Sequence, residues 1–502
     1  MMKHRLMKPS IGVVLIALLT DCANKAEYTS VIPQDASLVL GFNLKSMYQK
    51  SGLQGESGKK LTATWGNLFL NGLGENNDAK MKGYLKDPQQ TGLKLTDKVY
   101  VFSGYQSKYF GAVVRVADKG KLKRFLEAGS KKLNNEKGLY YSMNDNSVIT
   151  FNESALLLLS SQYPSDENLM NQALRLMNDN AKEETSKTIR RVIEANDDMT
   201  AYIDLNCIPE NYLAQAKIGL PADFRLQDIK FLASIMFEKG KVTVKIENLT
   251  ENTKLIERFE KQYAVTSKIK GKFMDLFPSN TLWWLCSNMK GKELLEMLKE
   301  NPMVKKTIQF SDIPVDLERV ISSVQGEVAV GINSFAIPIF TIYADVENDN
   351  FLSETIAELK PFVTSAGGMV SLHKVNEEVY LFKAYPEMKV WFGMSNHVFF
   401  VTSSQFIADH FGQHLTNSLN DTEWGSKVED NNGFLVLNCK QLLKDFIYSG
   451  LSKNNPLNII LQPFDYMEAY SSEWRSVEIN FVLKDKQTNL LEQFTRFFSS
   501  LN

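Results

Sequence analysis

Hydrophobic and polar positions follow two alternating periods along most of the chain. Runs rich in β-branched and aromatic residues predict strands, for example KYFGAVVRVA at 108–117 and IPIFTIYADV at 337–346. Each run is followed by a segment with helical spacing, DKGKLKRFLEAG at 118–129 and ENDNFLSETIAELK at 347–360. The pattern therefore predicts strands and helices that alternate with short polar turns between them.

The first of these helices has one apolar face. Leu122, Phe125 and Leu126 are spaced i, i+3 and i+4, while neighbours such as Lys121 and Lys123 point the other way. A helix with this pattern buries its apolar face against another element, so we expect it to cover a sheet.

Short connections between strand-like runs decide the type of sheet. GLYYSM at 138–143, SVITFN at 147–152 and ALLLLSS at 155–161 are separated by only a few polar residues, as in antiparallel hairpins. Alternating strands and helices are also compatible with parallel βαβ units, but successive hairpins favour the antiparallel arrangement. We therefore predict an α+β fold with antiparallel or mixed sheets and helices packed on one face.

Four sequence blocks recur in the same order in the second half of the chain, at separations of 232 to 245 residues. The matched pairs are 32–47 with 277–292, 147–162 with 389–405, 201–207 with 433–439, and 242–259 with 477–494. Self-similarity over so long a period indicates a duplicated domain rather than a solenoid. We predict two duplicated halves, residues 28–265 and 266–502.

The segment IGVVLIALLTDCANK at 11–25 is read as an export signal. Its apolar run has nine residues, whereas a membrane-spanning helix needs roughly 20. Basic residues precede it and Cys22 follows it, an order that resembles a bacterial lipoprotein signal, in which the cysteine is acylated and becomes the first mature residue. Asp21 departs from that pattern. We predict a signal peptide over residues 1–21 and lipidation of Cys22; an uncleaved or differently cleaved leader is the alternative.

Composition excludes some classes of function. The chain has 57 basic and 58 acidic side chains without a basic run, which argues against a nucleic-acid partner. Its 44% hydrophobic and 23% charged residues are those of an ordinary globular protein. If Cys22 carries lipid, Cys207, Cys286 and Cys439 remain, and each ends an apolar run. We expect these three to be buried free thiols, with one disulfide as the alternative.

The motif IPQDASLVLGFNLKSMYQKSG at 32–52 follows the leader and resembles the start of a known family. It is similar to the Bacteroidetes lipoprotein family classed as domain of unknown function 4836, and the residues that carry the match are Pro33, Asp35, Ala36, Asn43, Leu44 and Lys45. The resemblance implies an envelope lipoprotein of a Gram-negative bacterium and brings no known activity. Asn43, at the end of a predicted strand, suits a helix N-cap.

Two loop motifs resemble ligand sites only in part. GESGKKL at 55–61 resembles a phosphate loop, but Leu53, five residues before Gly58, and Lys60 stand where such a loop needs glycine and a hydroxyl. Asp345, Glu347 and Asp349 alternate as in a calcium loop, but the turn glycine and the final glutamate of that loop are missing. We interpret the second motif as a strand-to-helix turn, with ADKGK as its counterpart in the first half.

Histidine and tryptophan patterns do not define a site either. His410 and His414 are spaced i, i+4, as two metal ligands on a helix are, but we expect two exposed histidines on a surface helix. Trp283 and Trp284 could serve as a sugar platform, yet adjacent strand residues face opposite ways and one of the two suits the core. We therefore assign no catalytic, cofactor-binding or metal-binding residue, and no cofactor.

These observations predict a noncatalytic envelope lipoprotein that binds a partner or acts as a scaffold. Its partners would be the membrane, through the lipid anchor, and envelope proteins or glycan. We expect it at the outer membrane, on the periplasmic or the surface face. The alternative is a glycan-binding or glycan-hydrolysing surface lipoprotein, and hydrolysis would require two carboxylates in one cleft.

Overall fold

A computed structural model describes the chain from residue 28 to residue 500 with internal gaps. The described residues are 28–60, 81, 83–84, 87–103, 109–129, 131–136, 138–144, 146–161, 166–178, 186–205, 208, 228–309, 314–448 and 456–500. The predicted signal peptide, Cys22 and Cys207 lie outside them.

The chain forms two compact units, each built from more than one segment. Unit 1 comprises Met1–Cys207, Lys230–Phe237 and Leu491–Asn502, and unit 2 comprises Ile208–Ile229 and Glu238–Leu490. Compactness and descent by duplication divide a chain by different criteria, so the predicted boundary between residues 265 and 266 stays a prediction.

The described strands of unit 1 form one antiparallel sheet. Its order is β4-β5-β6-β7-β3-β2-β1-β8-β9. The strands are β1 Leu38–Phe42, β2 Val99–Ser103, β3 Phe110–Arg115, β4 Asn134–Glu136, β5 Leu139–Asn144, β6 Ser147–Phe151, β7 Ala155–Ser160, β8 Met199–Asp204 and β9 Lys230–Glu238. Helices of its first segment include α1 Leu44–Lys50, α2 Lys119–Ala128, α3 Asp166–Met177 and α4 Lys187–Glu194.

Unit 2 contains a longer antiparallel sheet, in the order β15-β16-β17-β18-β14-β13-β12-β19-β20-β21-β10. Its strands are β10 Lys241–Asn248, β11 Thr266–Ser267, β12 Trp283–Lys290, β13 Val324–Ser334, β14 Ile339–Val346, β15 Val370–Lys374, β16 Val379–Ala384, β17 Met388–Ser395, β18 Val398–Thr402, β19 Gly433–Asn438, β20 Phe464–Glu473 and β21 Ser476–Leu483. The short strand β11 pairs with the far end of β12.

Further α-helices follow among the described residues. They are α5 Thr253–Ala264, α6 Gly291–Lys299, α7 Pro302–Gln309, α8 Leu317–Ser323, α9 Phe351–Ser365, α10 Gln405–Asp409, α11 Cys439–Tyr448, α12 Pro456–Leu461 and the C-terminal helix α13 Leu490–Ser500. In the part of the chain that the structure covers, none of these helices combines the length and apolar character needed to cross a bilayer.

The predicted α+β class is confirmed, and particular local predictions are confirmed with it. The predicted hairpins appear as β5, β6 and β7, which pair in antiparallel register. In α2, Leu122 is fully buried and Phe125 and Leu126 pack against the same cluster. The Asn43 side chain caps α1 by accepting a hydrogen bond from the Ser46 amide at 3.1 Å.

Both sheets have the same strand order over nine strands. The pairing order β4-β5-β6-β7-β3-β2-β1-β8-β9 in unit 1 corresponds to β15-β16-β17-β18-β14-β13-β12-β19-β20 in unit 2. The first three repeated sequence blocks fall on matching strands, β1 with β12, β6–β7 with β17–β18, and β8 with β19. Common descent by duplication stays a prediction, and it would account for the shared strand order.

Aromatic side chains form much of the core of unit 2. Trp284 on β12 is buried beside Trp424, and Phe277 makes edge contacts with both Trp284 and Tyr343. Such ring pairs contribute roughly 0.5–1.5 kcal/mol beyond the area they bury. This packed aromatic core lies under the unit 2 sheet and supports the turns at the ends of its strands.

Candidate functional site

An open crevice of about 510 Å³ lies at the start of α2 in unit 1. Three elements build it: the turn into α2, strand β5 with Tyr140, and the β6–β7 turn with Glu153. The Asp118 side chain caps α2 by accepting from the Lys121 amide at 2.8 Å. This cap fixes where the helix begins, and so places Lys119 and Lys123 on the crevice wall.

The crevice combines one aromatic ring with charges of both signs. The ammonium nitrogens of Lys119 and Lys123 lie 5.5 and 5.9 Å from the centroid of the Tyr140 ring. Lys119 also donates to the Glu153 carboxylate at 2.9 Å. Cations within about 6 Å of a ring centroid are attracted by the ring quadrupole. The lysines are therefore held over the Tyr140 ring and its surroundings.

The Tyr140 ring is fixed from behind by the core. It stacks on Phe151, which is fully buried, with ring centroids 5.2 Å apart and an angle of 17° between the planes. A half-buried aromatic ring backed by a core residue loses little conformational freedom when a ligand covers it. The crevice is therefore preorganised at its aromatic side.

Unit 2 has a crevice of about 390 Å³ at the start of α9, the helix that matches α2 in the strand order. His397 Nε2 lies 3.2 Å from an Asp349 carboxylate oxygen, and the Ser395 hydroxyl donates to Glu378 at 2.6 Å. Asn396 and His397 have positive φ angles of 48° and 63°, which form the tight β17–β18 turn.

Each crevice is bridged by one pair between the start of a helix and a hairpin turn. In unit 1 the helix supplies the cation Lys119 and the turn supplies Glu153. In unit 2 the helix side supplies Asp349 and the turn supplies His397, which is charged only when it is protonated. The two crevices thus lie at equivalent places in the two units, but the side chains that line them differ.

Two acidic side chains are almost completely buried elsewhere. Asp198 in unit 1 accepts hydrogen bonds from the Ser46 hydroxyl, the Lys50 ammonium and a backbone amide. Glu468 in unit 2 accepts from Lys427 at 2.7 Å and from Asn480 at 3.2 Å. Since buried charges require partners of this kind, we interpret both as structural groups.

A third acid, Glu327, accepts from two backbone amides, those of Lys270 and Lys272. Burial raises the pKa of Glu327 above its usual value, although these two hydrogen bonds act in the opposite direction. The neighbouring Asp345 accepts from the Glu327 amide at 3.0 Å and pairs with Lys272. This group orders the segment before β12.

The residues of the calcium-like motif do not converge on one point. Asp345 lies in β14 and pairs with Lys272, Glu347 pairs with Lys292 at 2.9 Å, and Asp349 contacts His397. The described residues include no group of three or more histidine, cysteine, aspartate or glutamate side chains placed to hold a metal ion. The interpretation as a strand-to-helix turn agrees with this arrangement.

The expected surface helix with His410 and His414 is wrong. Helix α10 ends at Asp409, and Gly412 takes a positive φ that ends any helical path between the two histidines. His410 Nδ1 lies 2.8 Å from the Phe406 carbonyl, while His414 Nδ1 lies 3.0 Å from Asp275. The two rings thus have separate partners.

Tryptophan burial bears on the sugar-platform hypothesis. Trp284, Trp391 and Trp424 are buried, and Trp283 and Trp474 are half-buried. No tryptophan among the described residues offers a free face comparable to an exposed platform. Cys286 and Cys439 are buried free thiols, as expected, and burial raises the pKa of Cys439 to about 11.

The sequence did not identify Tyr140, Glu153 or His397 as residues of one crevice. Each comes from a different strand or turn than the helix that it faces, and no fixed spacing connects them. The available signal was indirect: the two strand-to-helix turns at 117–121 and 345–350 occupy equivalent places in the repeats.

Comparison with known proteins defines the class of this chain. A family model described as Domain of unknown function (DUF4836) matches residues 28–491. The chain belongs to this family, as the opening motif at 32–52 indicated. No curated protein matches the chain.

The chain also shows a distant likeness to crystal structures of TP0453. Crystal forms IV, I and III give TM-scores of 0.29, 0.28 and 0.28, each at 10% sequence identity. The matches cover 45%, 46% and 48% of this chain and 83%, 84% and 87% of the other. Similarity at this level carries no argument about fold or activity.

Proposed function

We propose that this protein is an envelope lipoprotein that acts by binding rather than by catalysis, held at the outer membrane of a Bacteroidetes cell by acylated Cys22. The supporting observation is the position of Tyr28, which is buried with 3% of its surface exposed. The fold is therefore already established at Tyr28, and only residues 23–27 separate it from Cys22.

This spacing limits how far the folded chain extends from an anchor. Six residue steps reach at most about 20 Å even when fully extended. Acyl chains contribute about 0.8 kcal/mol per buried CH₂ group, and several chains on one cysteine give stable attachment. The body of the protein would thus work beside the bilayer, where it could hold a partner protein or an envelope polymer.

Expression of the full chain in a Gram-negative host tests the anchor. We expect intact-mass analysis of the membrane fraction to give a chain that begins at Cys22 and carries acyl groups. The variant Cys22→Ser should accumulate with its leader uncleaved and without acyl groups. An unprocessed, unacylated wild-type chain would contradict the proposal.

A second candidate function, glycan binding, is favoured by the unit 1 crevice. Tyr140 offers an aromatic face that is fixed by Phe151, and Lys119, Lys123 and Glu153 supply donors and acceptors around it. An aromatic platform with a few polar groups at its rim is typical of sites that bind sugar rings. The two lysines favour a glycan that carries carboxylates.

Binding of the full chain to purified peptidoglycan and to surface polysaccharide tests this candidate. We expect Tyr140→Ala to weaken binding by roughly tenfold, which corresponds to about 1.4 kcal/mol. Tyr140→Phe should retain binding because the ring remains, and Tyr48→Ala, at an exposed tyrosine on α1, should be neutral. Equal binding by Tyr140→Ala and wild type would exclude the crevice as the glycan site.

A further inference from the structure

Large apolar side chains are exposed mainly at one end of the unit 2 sheet. Thr402, the last residue of β18, lies opposite Thr341 near the start of β14 and opposite Trp391 near the start of β17. The β13–β14 turn and the β16–β17 turn therefore lie at the same end of the sheet. The start of β15 lies there as well, since Val370 pairs with Ala384 at the end of β16.

The turns at this end, which we call the apolar end, carry side chains that a folded core would normally bury. Ile337 is 70% exposed and Tyr385 is 82% exposed. More than half of the surface is exposed in each of the following: Phe335, Ile337, Met369, Tyr385, Met388 and Phe406. Several exposed apolar side chains at one end of a sheet indicate an interaction surface, whereas singly scattered ones are common on any protein.

Helices α11 and α12 extend the apolar end. Leu437, next to the last residue of β19, pairs with the first residue of β12, so α11 begins at this end of the sheet. Tyr448 at the end of α11 is 86% exposed, and Ile447 beside it is also exposed. On α12, Ile459 and Ile460 are exposed too.

A buried carboxylate holds the β13–β14 turn in position. Asp445 on α11 accepts from the backbone amides of Phe335 at 2.9 Å and Ala336 at 3.1 Å. It also accepts from the Ser334 hydroxyl at 2.5 Å. The exposed residues 335–338 are thus presented by a fixed turn, not by a loose loop, because their backbone is bound to a helix of the core.

The turns at the opposite end of the same sheet are mostly polar and charged. They carry charged and polar side chains such as Asp349, Glu377, Glu378, His397 and Glu473. Val375 and Val477 are exposed large hydrophobic residues of these turns, and Met303, 68% exposed, lies on α7 in the connection from β12 to β13 at this end. Exposed large apolar side chains are therefore more numerous at the apolar end, while charged side chains occur at both ends.

Lysines accompany the apolar end. Lys383 and Lys389 lie directly opposite each other on β16 and β17, next to the turn. Like charges in this position repel each other, and an anionic surface would relieve the repulsion. Lys440 and Lys444 are exposed on α11, at helical spacing from Tyr448. The acids Glu387 and Asp409 lie at the same end.

We propose that the apolar end is a membrane-contacting surface that inserts its turn residues into the interface of a bilayer with anionic headgroups. Aliphatic side chains at separate turn tips, an exposed tyrosine and lysines behind them match the requirements of interfacial binding. The lysines would contact phosphate groups while their stems remain in the apolar layer. The inference rests on the proposed envelope location only for the supply of the bilayer.

The experiment uses the full chain reconstituted into vesicles of phosphatidylethanolamine and phosphatidylglycerol, with an environment-sensitive dye at Ile337→Cys. Val375→Cys is the matched control, because Val375 is a 52% exposed apolar residue of a hairpin turn at the opposite end. The unsubstituted chain sets the labelling background, to which the buried Cys286 and Cys439 should add little. Lipids with a nitroxide on the acyl chain quench the dye only inside the hydrocarbon layer.

We expect quenching at Ile337→Cys and none at Val375→Cys. Phosphatidylcholine in place of phosphatidylglycerol, or Lys383→Glu with Lys389→Glu, should reduce the quenching severalfold. Three results would overturn the inference: no quenching at either position, equal quenching at both, or concentration-dependent shielding of the Ile337→Cys dye without vesicles, which would indicate a second copy of the chain as the occupant.

These results are separable from the test of the anchor. If Cys22 proves to be acylated and the dye stays in water, the apolar end is not a membrane surface and the proposed anchor stands. If Cys22 carries no lipid and the dye is quenched, the apolar end binds membranes by itself and the anchor proposal fails.

Discussion

Val244 on β10 and Ile479 on β21 lie directly opposite each other, and they hold the same position in the two copies of the fourth repeated block. Each is the third residue of its copy, which begins at Val242 or Val477. Equivalent residues at the centre of an antiparallel pair indicate a local two-fold axis. In an experimental structure, segments 242–259 and 477–494 should superpose as strand plus helix, and unrelated backbone paths there would contradict the duplication.

The neighbouring pair on the same strands supports a mutational prediction. The Thr243 hydroxyl donates to the Asn480 side chain at 2.8 Å, and Asn480 in turn donates to the buried Glu468. We expect Asn480→Ala to lower the free energy of unfolding by about 1–3 kcal/mol, because both partners lose a buried hydrogen bond. Denaturant unfolding of the full chain measures the change.

Lys245→Ala serves as the control for this prediction. Lys245 lies on the same strand pair, but its contact with Glu478 at 3.4 Å is at the surface. Exposed ion pairs contribute at most about 1 kcal/mol, so the control should be nearly neutral. If both substitutions lowered the free energy of unfolding equally, the buried hydrogen bonds of Asn480 would contribute no more to stability than the exposed ion pair.

Gly111 on β3 allows a prediction from packing. A Cβ atom at this position would lie 2.3 Å from Phe102 Cζ, in the buried core of unit 1. We expect Gly111→Ala to destabilise the protein by about 1–3 kcal/mol and to lower its thermal midpoint, followed by circular dichroism. Gly433→Ala on β19 is the matched substitution, because a Cβ there meets no atom within 4 Å. The prediction fails if both variants melt like the wild type.

The Arg319 pair with Glu358 should make stability depend on pH. Arg319 donates two hydrogen bonds to the Glu358 carboxylate, at 2.7 and 2.9 Å, and these lower the pKa of Glu358 below its usual 4.5. A lowered pKa in the folded state gives stability that is present above pH 4.5 and is lost as the pH falls below it.

Unfolding of Glu358→Gln as a function of pH tests this pair. We expect a loss of about 1–3 kcal/mol at pH 7 and a shallower fall of stability below pH 4.5. Glu296→Gln removes an acid that is mostly exposed and should leave the profile unchanged. An unaltered acid slope in Glu358→Gln would refute the assignment.

The thiols of unit 2 should resist modification in the native state. Burial raises the pKa values of Cys286 and Cys439, the latter to about 11, so the reactive thiolate is scarce at pH 8. We expect peptide mapping after brief treatment with a thiol reagent to show both unmodified, and modified once the chain is denatured. Rapid labelling of either cysteine in the native protein would mean that the structure around that thiol opens readily.

The sequence predicted local structure well where periodicity decides it. The β5–β7 hairpins and the apolar face of α2 followed from spacing alone, because burial on one face imposes a period of two or 3.6 residues. The helix through His410 and His414 was wrong because i, i+4 spacing carries no information on whether the intervening Gly412 continues the helix.

The crevices and the apolar end depend on which strands become neighbours. Tyr140 and Lys119 approach each other only because β5, β6 and β7 form a meander beside β3. Exposed Ile337 reads as a strand residue in the sequence, within IPIFTIYADV, and its exposure follows from the turn that Asp445 fixes. Pairing over such distances has no local signal in a single sequence.

The length of the unit 2 strands has a geometric consequence. β14 spans eight residues at about 3.3 Å each, so the turns at its two ends are separated by roughly 26 Å. If Ile337 sits in lipid, the crevice with Asp349 and His397 lies at most about 26 Å from the inserted turn, on the aqueous side. The length of the strands would then fix the distance between the membrane and the crevice, and the crevice would contact only molecules present at that distance from the bilayer.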